Sequence, residues 1–327
     1  MIIAVDAMGG DNAPEVVVHG ALQACEELNC NIILVGDSDA ISPHLEKSIK
    51  PEGVTVYSCS EVVDMGESPM KAYKNKKDSS IRVAFDLLKS GKAHAVVSAG
   101  NSGATMVAGI LASGKLEGVE RPALASILPG EKGDVIIIDV GGNVDCRPVH
   151  LYQFGVMAEA FAASCLGIRE PKLGLLNIGE EPGKGNDLVK SAYDLFSNSP
   201  LNFYGNIEGR DILSGRVQIV VCDGFIGNIV LKYSEGLAES IAARFVRGVE
   251  KKVTDISGRG FLEEFKESLD YAQYGGAPVL GINGVCIVCH GHSSEKAIKN
   301  AIKMAYSYVD NNTGEKLLNS LRNCNLM

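Results

Sequence analysis

The chain has 327 residues, 46% of them hydrophobic, with a formal net charge of −9 and only 6% aromatic residues. That is enough apolar material for a large core in one or two domains. The acidic balance argues against a nucleic-acid binder, the scarcity of aromatics against a single-strand stacking platform, and apolar runs far short of ~20 residues against a bilayer span.

Short β-branched runs alternate with helical patterns along the chain. Strands are predicted at 2–6, 31–36, 54–58, 93–98, 124–128, 135–140, 173–178, 202–206 and 217–223, and GVCIVCHG (284–291) also reads as a buried strand. Helical periodicity falls at 14–28, 79–90, 102–113, 149–166, 186–197, 227–252 and 293–310. Continuous apolar strands separated by helices indicate an α/β chain, doubly wound, with a mostly parallel sheet and helices on both faces. No repeat or low-complexity linker divides it, so the expectation is one catalytic domain over 1–327, with a helical arm at about 235–275. MIIAVDAMGGD has neither the basic start nor the apolar stretch of a signal peptide. The nine scattered cysteines then read as reduced thiols of a cytosolic protein.

Five times, an apolar strand runs out into glycine with Asp or Asn and then into a helix: DAMGGD (6–11), SAGNSGA (98–104), DVGGN (139–143), NIGEEPGKGN (177–186) and DGFIGN (223–228). Each loop alone needs no more explanation than the turn chemistry of a strand–helix connection. Together they predict a glycine-walled, amide-lined anion cleft, because ligands of open α/β sheets bind at the carboxyl ends of strands and helix N-termini favour anions.

Familiar nucleotide fingerprints fail. In NIGEEPGKGND, Gly179 and Gly183 are one residue too close for a Walker loop, and Gly185 replaces the hydroxyl that would hold magnesium. DAMGGD does not match the dinucleotide pattern. Cys286-Ile-Val-Cys289-His290 matches a haem attachment string and suggests zinc, but positions three apart on a strand face opposite ways. No metal is therefore expected, and Cys289 with His290 is not read as a nucleophile–base pair. His290 instead stands just before a helix that Ser293 or Ser294 could cap.

Two basic groups stand out. Lys71, Lys74, Lys76 and Lys77 read either as a solvated loop or as a dock for an acidic partner. Arg244, Arg247, Lys251, Lys252 and Arg259 share a helical region with Ile241, Phe245, Val249, Val253 and Ile256, a pattern that suits a core, a dimer contact or an anionic membrane surface.

Longer strings carry a resemblance. AVDAMGGDNAP (4–14), VSAGNSGA (97–104), RPALA (121–125), DVGGNVDCRP (139–148), NIGEEPGKGN (177–186), FYGNIEGRDI (203–212), DGFIGNIVLK (223–232) and YGGAPVLGINGVCIVCHG (274–291) resemble, in order and over nearly the whole chain, the bacterial phosphate acyltransferase family PlsX. Small departures are His292, the second Gly of DVGGN and the Pro of EEPGKGN. The resemblance implies a fold similar to phosphotransacetylases and to isocitrate and isopropylmalate dehydrogenases. It implies transfer of a long-chain acyl group from acyl carrier protein (ACP) to inorganic phosphate, without nucleotide, metal or other cofactor. It further implies a homodimer peripherally associated with the inner face of the cell membrane, whose acyl phosphate feeds a membrane glycerol-3-phosphate acyltransferase.

Phosphate is already a nucleophile, so such a site needs a dianion cradle and an oxyanion donor more than a covalent nucleophile. Lys184, between Gly183 and Gly185, is the predicted cation, and Asn228, after Gly227 at a helix start, the predicted amide donor. Asn101 and Asn143 hold equivalent loop positions; Ser98, Ser102, Gly103, Asn186 and His290 complete the expected phosphate and substrate contacts. Asp6, Asp11, Asp139 and Asp223 are read as caps and braces, one of them orienting Lys184. Lys71, Lys74, Lys76, Lys77, Arg244 and Arg247 are candidates for carrier docking, and Phe245, Val249, Val253 and Ile256 for membrane contact. A short-chain phosphotransacetylase using acyl-CoA and a non-catalytic membrane scaffold remain as alternatives.

Overall fold

The computed structural model describes residues 1–46, 52–249 and 271–326. Among the described residues eleven strands form a single sheet: β1 (Ile2–Asp6), β2 (Asn31–Gly36), β3 (Val54–Ser58), β4 (Ala95–Ser98), β5 (Ala123–Gly130), β6 (Gly133–Ile138), β7 (Leu173–Leu176), β8 (Phe203–Ile207), β9 (Ile219–Val221), β10 (Ala277–Leu280) and β11 (Val285–Val288). Their spatial order is β3-β2-β1-β4-β11-β10-β5-β6-β9-β7-β8. The α-helices among the described residues are α1 (Glu15–Leu28), α2 (Ser38–Glu46), α3 (Pro69–Asn75), α4 (Ser80–Lys89), α5 (Ser102–Ser113), α6 (Pro148–Cys165), α7 (Asp187–Ser197), α8 (Gly224–Val249), α9 (Glu295–Asp310) and α10 (Thr313–Asn323).

The apolar strands are buried on both faces, and successive residues feed two different cores. Ile3, Val5, Val97, Ile136, Ile138 and Ile287 enter a core shared with α1, α6 and α9. Ala4, Val96, Ile137, Val220, Val279 and Val288 enter the opposite core, under α4, α5 and the start of α8. Helix α6 is buried almost all round in its middle turns, as its lack of a polar face requires; Phe154, Val156, Met157 and Phe161 are fully enclosed.

All predicted strands and helices have counterparts. Several elements were not anticipated. α2 carries an internal Pro43, α3 is only seven residues, and β10 is four residues following two glycines, so none has a long periodic signature. The sheet is also less uniform than expected: β5 pairs antiparallel with both β10 and β6, and β10 antiparallel with β11. Everything else is parallel.

Three antiparallel pairings in succession reverse the strand direction between the two halves of the sheet. The halves are also offset. Ser98 is level with Val288 and Val288 with Ala277; two residues further along β10, Val279 aligns with Leu124; Ala125, the next residue, aligns with Ile138, and Ile138 with Val221. The last residues of β1, β4 and β11 thus lie within about one strand residue, ~3.3 Å, of the last residues of β6 and β9. Carboxyl ends from two opposed half-sheets meet along one line, and β5 and β10 bridge it. The glycine loops are gathered by this offset rather than by a common strand direction.

The arm expected at 235–275 falls partly on the second half of α8 and partly outside the described residues, as do Val253 and Ile256. Phe245, Arg247 and Val249 belong to the last turns of α8.

Candidate active site

A cleft of about 330 Å³ opens on this line, over β5, β10 and β11 between α5 and α8. That is at the lower end of the ~300–1,000 Å³ of small-ligand sites. Its floor is apolar, with Leu124 and Leu128 of β5, Val288 of β11 and Leu231 of α8. Its polar groups come from Gly100 and Ser102 after β4, from His290 to His292 after β11, and from α8.

The position of α8 follows from glycine. Gly224 donates its N–H to the Asn143 carbonyl at 2.8 Å, and a β-carbon there would lie 2.7 Å from that oxygen. A β-carbon at Gly227 would overlap the Asp139 carbonyl oxygen. Asp223 accepts the N–H groups of Phe225 and Ile226, both at 3.0 Å, and so caps the helix as predicted. Asn228 lines the cleft beside Gly141, whose φ of 124° calls for glycine.

Asp139 is the brace beneath. It is fully buried, accepts the N–H groups of Leu124 and Gly142 at 3.0 Å and the Asn143 amide at 2.8 Å, and burial still pushes its carboxyl up. Asp6 plays the same part in the other half. It accepts the Ser98 hydroxyl at 2.7 Å, Ser98 accepts the Gly100 N–H at 3.1 Å, and burial raises its pKa too. A β-carbon at Gly9 would lie 2.6 Å from both Asp6 Oδ2 and the Gly100 nitrogen, so the loops after β1 and β4 are locked together.

Several predicted contacts prove to be such braces. The Asn143 amide is committed to Asp139 and the Pro122 carbonyl. The Asn101 amide donates to the carbonyls of Asp64, Met65 and Glu67, while its oxygen caps α5 at the Ala104 N–H. Asn186 caps α7 through the Val189 N–H at 2.9 Å. The Ser98 hydroxyl is turned onto Asp6, and Gly103 packs against Pro69. A side chain that reads as a phosphate ligand in a loop is, in these cases, what holds the loop's shape.

Ser102 and His290, expected among the phosphate and substrate contacts, line the cleft. His290 Nε2 lies 2.9 Å from Glu235 Oε1, tying the loop after β11 to α8. Lys184 does not line it. Its loop is held by Asn177, which donates to the Lys184 carbonyl at 3.1 Å, and by Asn206, which donates to the Glu181 carbonyl at 2.9 Å. Gly183 and Gly185 flank an exposed lysine whose ammonium has no ion-pair partner among the described residues, so none of the four aspartates orients it.

Cys286 and Cys289 are buried, and burial pushes the Cys289 thiol, which borders the cleft, up to about 12. Among the described residues no group of three or more His, Cys, Asp or Glu could hold a metal. Of the first basic group, Lys71, Lys74 and Lys77 are exposed, whereas Lys76 is turned in, 2.8 Å from Glu67 and 2.6 Å from the Val62 carbonyl. Arg244 is exposed on α8. No helix among the described residues is long and apolar enough to cross a membrane.

The profile of a family described as "Fatty acid synthesis protein" matches residues 1–316. A phosphate acyltransferase of Geotalea uraniireducens is 49% identical over 98% of this chain and 94% of its own length. One of Geobacter sulfurreducens is 48% identical over 97% of this chain and 93% of its own. The chain belongs to the phosphate acyltransferase family. Its fold is shared with a phosphotransacetylase of Streptococcus pyogenes, at TM-score 0.67 and 19% identity over 95% of this chain and 94% of that one. It is also shared with a 4-hydroxythreonine-4-phosphate dehydrogenase of Klebsiella pneumoniae, at TM-score 0.54 and 15% identity over 94% of this chain and 99% of that one.

Among the cleft residues absent from the sequence-based candidates, two are charged, Lys232 and Glu235. Both lie in the helical stretch that follows DGFIGN. Their spacing from Asn228, four and seven residues, puts all three on one helix face and was the available signal.

Proposed function

We propose that this acyltransferase moves a long-chain acyl group from acyl-ACP to inorganic phosphate by direct attack. The supporting observation is the apolar cleft floor of Leu124, Leu128, Val288 and Leu231, which lies in the same cleft as Asn228 and the polar loops and suits an acyl chain with its thioester at a polar group. Phosphate oxygen forms a bond to the thioester carbonyl carbon, the carbonyl becomes an oxyanion, and the C–S bond then breaks, leaving acyl phosphate and the carrier thiolate. Asn228 donates its amide to the oxyanion. Lys184 brings positive charge from the loop after β7, which starts on the same line of strand ends. Cys289 suits no acyl-enzyme step, because its thiol stays protonated near neutral pH.

Lys71, Lys74 and Lys77, exposed together, are the surface we assign to the acidic carrier protein. On α8, Ile226, Ile229, Tyr233, Leu237 and Ile241 form an exposed stripe at helical spacing, and the spacing runs on in the sequence to Phe245 and Val249. This stripe suits a second copy of the chain, and its continuation a peripheral membrane contact.

The proposed chain path is tested by narrowing it. Ala277→Phe, on the cleft wall, is expected to cut transfer of a palmitoyl group while sparing short acyl donors. Undiminished palmitoyl transfer would place the chain elsewhere.

A further inference from the structure

A phosphate dianion entering the cleft meets two carboxylates on its walls, Asp11 and Glu235. Binding it there requires a nearby cation. Among the described residues Lys232 is the one lysine or arginine that lines the cleft. It stands on α8 with Asn228 and Leu231, one helix face away from the exposed apolar stripe.

Lysine three residues before glutamate on a helix is close enough to pair with it. Here Glu235 Oε1 is instead 2.9 Å from His290 Nε2, across the cleft wall. Lys232 has no ion pair among the described residues. The His290–Glu235 contact thus holds the Glu235 carboxylate against the loop after β11 and leaves the neighbouring ammonium for a ligand. We propose that Lys232 is the residue that holds inorganic phosphate in the cleft, within reach of the oxyanion donor Asn228 on the preceding turn. This rests on the transfer reaction proposed above, and it assigns the phosphate to the α8 wall rather than to the loop of Lys184. Lysine suits the task because a compact ammonium on a long stem can follow the anion from ground state to tetrahedral intermediate.

The test uses Lys232→Met, which keeps the stem and removes the charge, and Lys232→Gln should the first variant fold poorly. Inorganic phosphate is titrated calorimetrically into parent and variant, and KM is measured separately for phosphate and for palmitoyl-ACP. The expected result is phosphate affinity weakened roughly tenfold or more, the weight of one lost charged hydrogen bond, with a matching rise in the phosphate KM. The palmitoyl-ACP KM stays near the parent value, and Lys232→Arg restores part of the phosphate affinity. Parent-like phosphate binding by the variant would overturn the assignment, as would an equal rise in both KM values, which would mark a role in cleft shape. A parent that binds phosphate but forms no acyl phosphate would instead defeat the transfer reaction while leaving the calorimetric test of Lys232 in force.

Discussion

Gly227 lies so close to Asp139 that a β-carbon on it would overlap the Asp139 carbonyl oxygen. The contact joins the start of α8 to the end of β6 and fixes where Asn228, the next residue, meets the cleft. Both partners are backbone at that point, so a side-chain rearrangement cannot relieve the overlap. Gly227→Ala should lose about 3 kcal/mol of stability or more, read by denaturant unfolding, and should lower kcat beyond what the unfolded fraction explains. A variant as stable and as active as the parent would show that α8 is not held by this contact.

Asn228→Ala should leave the fold intact and lower kcat by roughly 10²–10³, the usual weight of one oxyanion donor, with little change in either KM. Steady-state kinetics with palmitoyl-ACP and phosphate decide it. A rise in KM at constant kcat would make Asn228 a ground-state contact instead.

Lys184 is exposed and unpaired among the described residues, so Lys184→Ala should change stability by no more than about 0.5 kcal/mol. Turnover should nevertheless fall steeply if the loop after β7 brings its charge to the reaction. Retention of parent-like turnover would confine that loop to a structural part, and retained function in cells would favour a non-catalytic scaffold.

Asp6 gives a pH signature. Burial raises its folded-state pKa above the 3.8 of an ordinary aspartate. On acidification the native state therefore takes up this proton before the unfolded chain does, and the proton favours folding. The increment is present in full below 3.8 and is lost as pH rises through the raised value. Asp6→Asn removes the titration. The stability of the parent relative to the variant should grow as pH falls from roughly 7 toward 4, measured by denaturation at each pH. A difference independent of pH would contradict the assignment of a buried, protonatable Asp6.

Much of this was legible in the sequence because local rules act there. β-Branched runs such as VIIIDV and NIILVG give strands whatever their neighbours, and Asp223 before Gly224 reads directly as a helix cap. The resemblance supplied the family, and the strand-end loops supplied the neighbourhood of the site. What the sequence withheld is long-range. The reversal of the half-sheets depends on β10, four residues that stand between β11, its neighbour in sequence, and β5, which lies far from it in the chain. Asn101 and Asn143 look like Asn228 in their loops, but they turn their amides onto carbonyls at 64–67 and 122, which no local pattern reveals. Lys232 and Glu235 were hidden for the opposite reason: they sit mid-helix, where a charged residue ordinarily means a solvated face.

The acyl donor that phosphate attacks defines the reaction. The most direct measurement is single-turnover formation of acyl phosphate, trapped with hydroxylamine, from palmitoyl-ACP and from acetyl-CoA under the same phosphate concentration. The expected result is a palmitoyl hydroxamate, dependent on added phosphate, from the carrier-bound donor and little hydroxamate from acetyl-CoA. Acetyl hydroxamate from acetyl-CoA with none from palmitoyl-ACP would contradict it and make the protein a short-chain phosphotransacetylase.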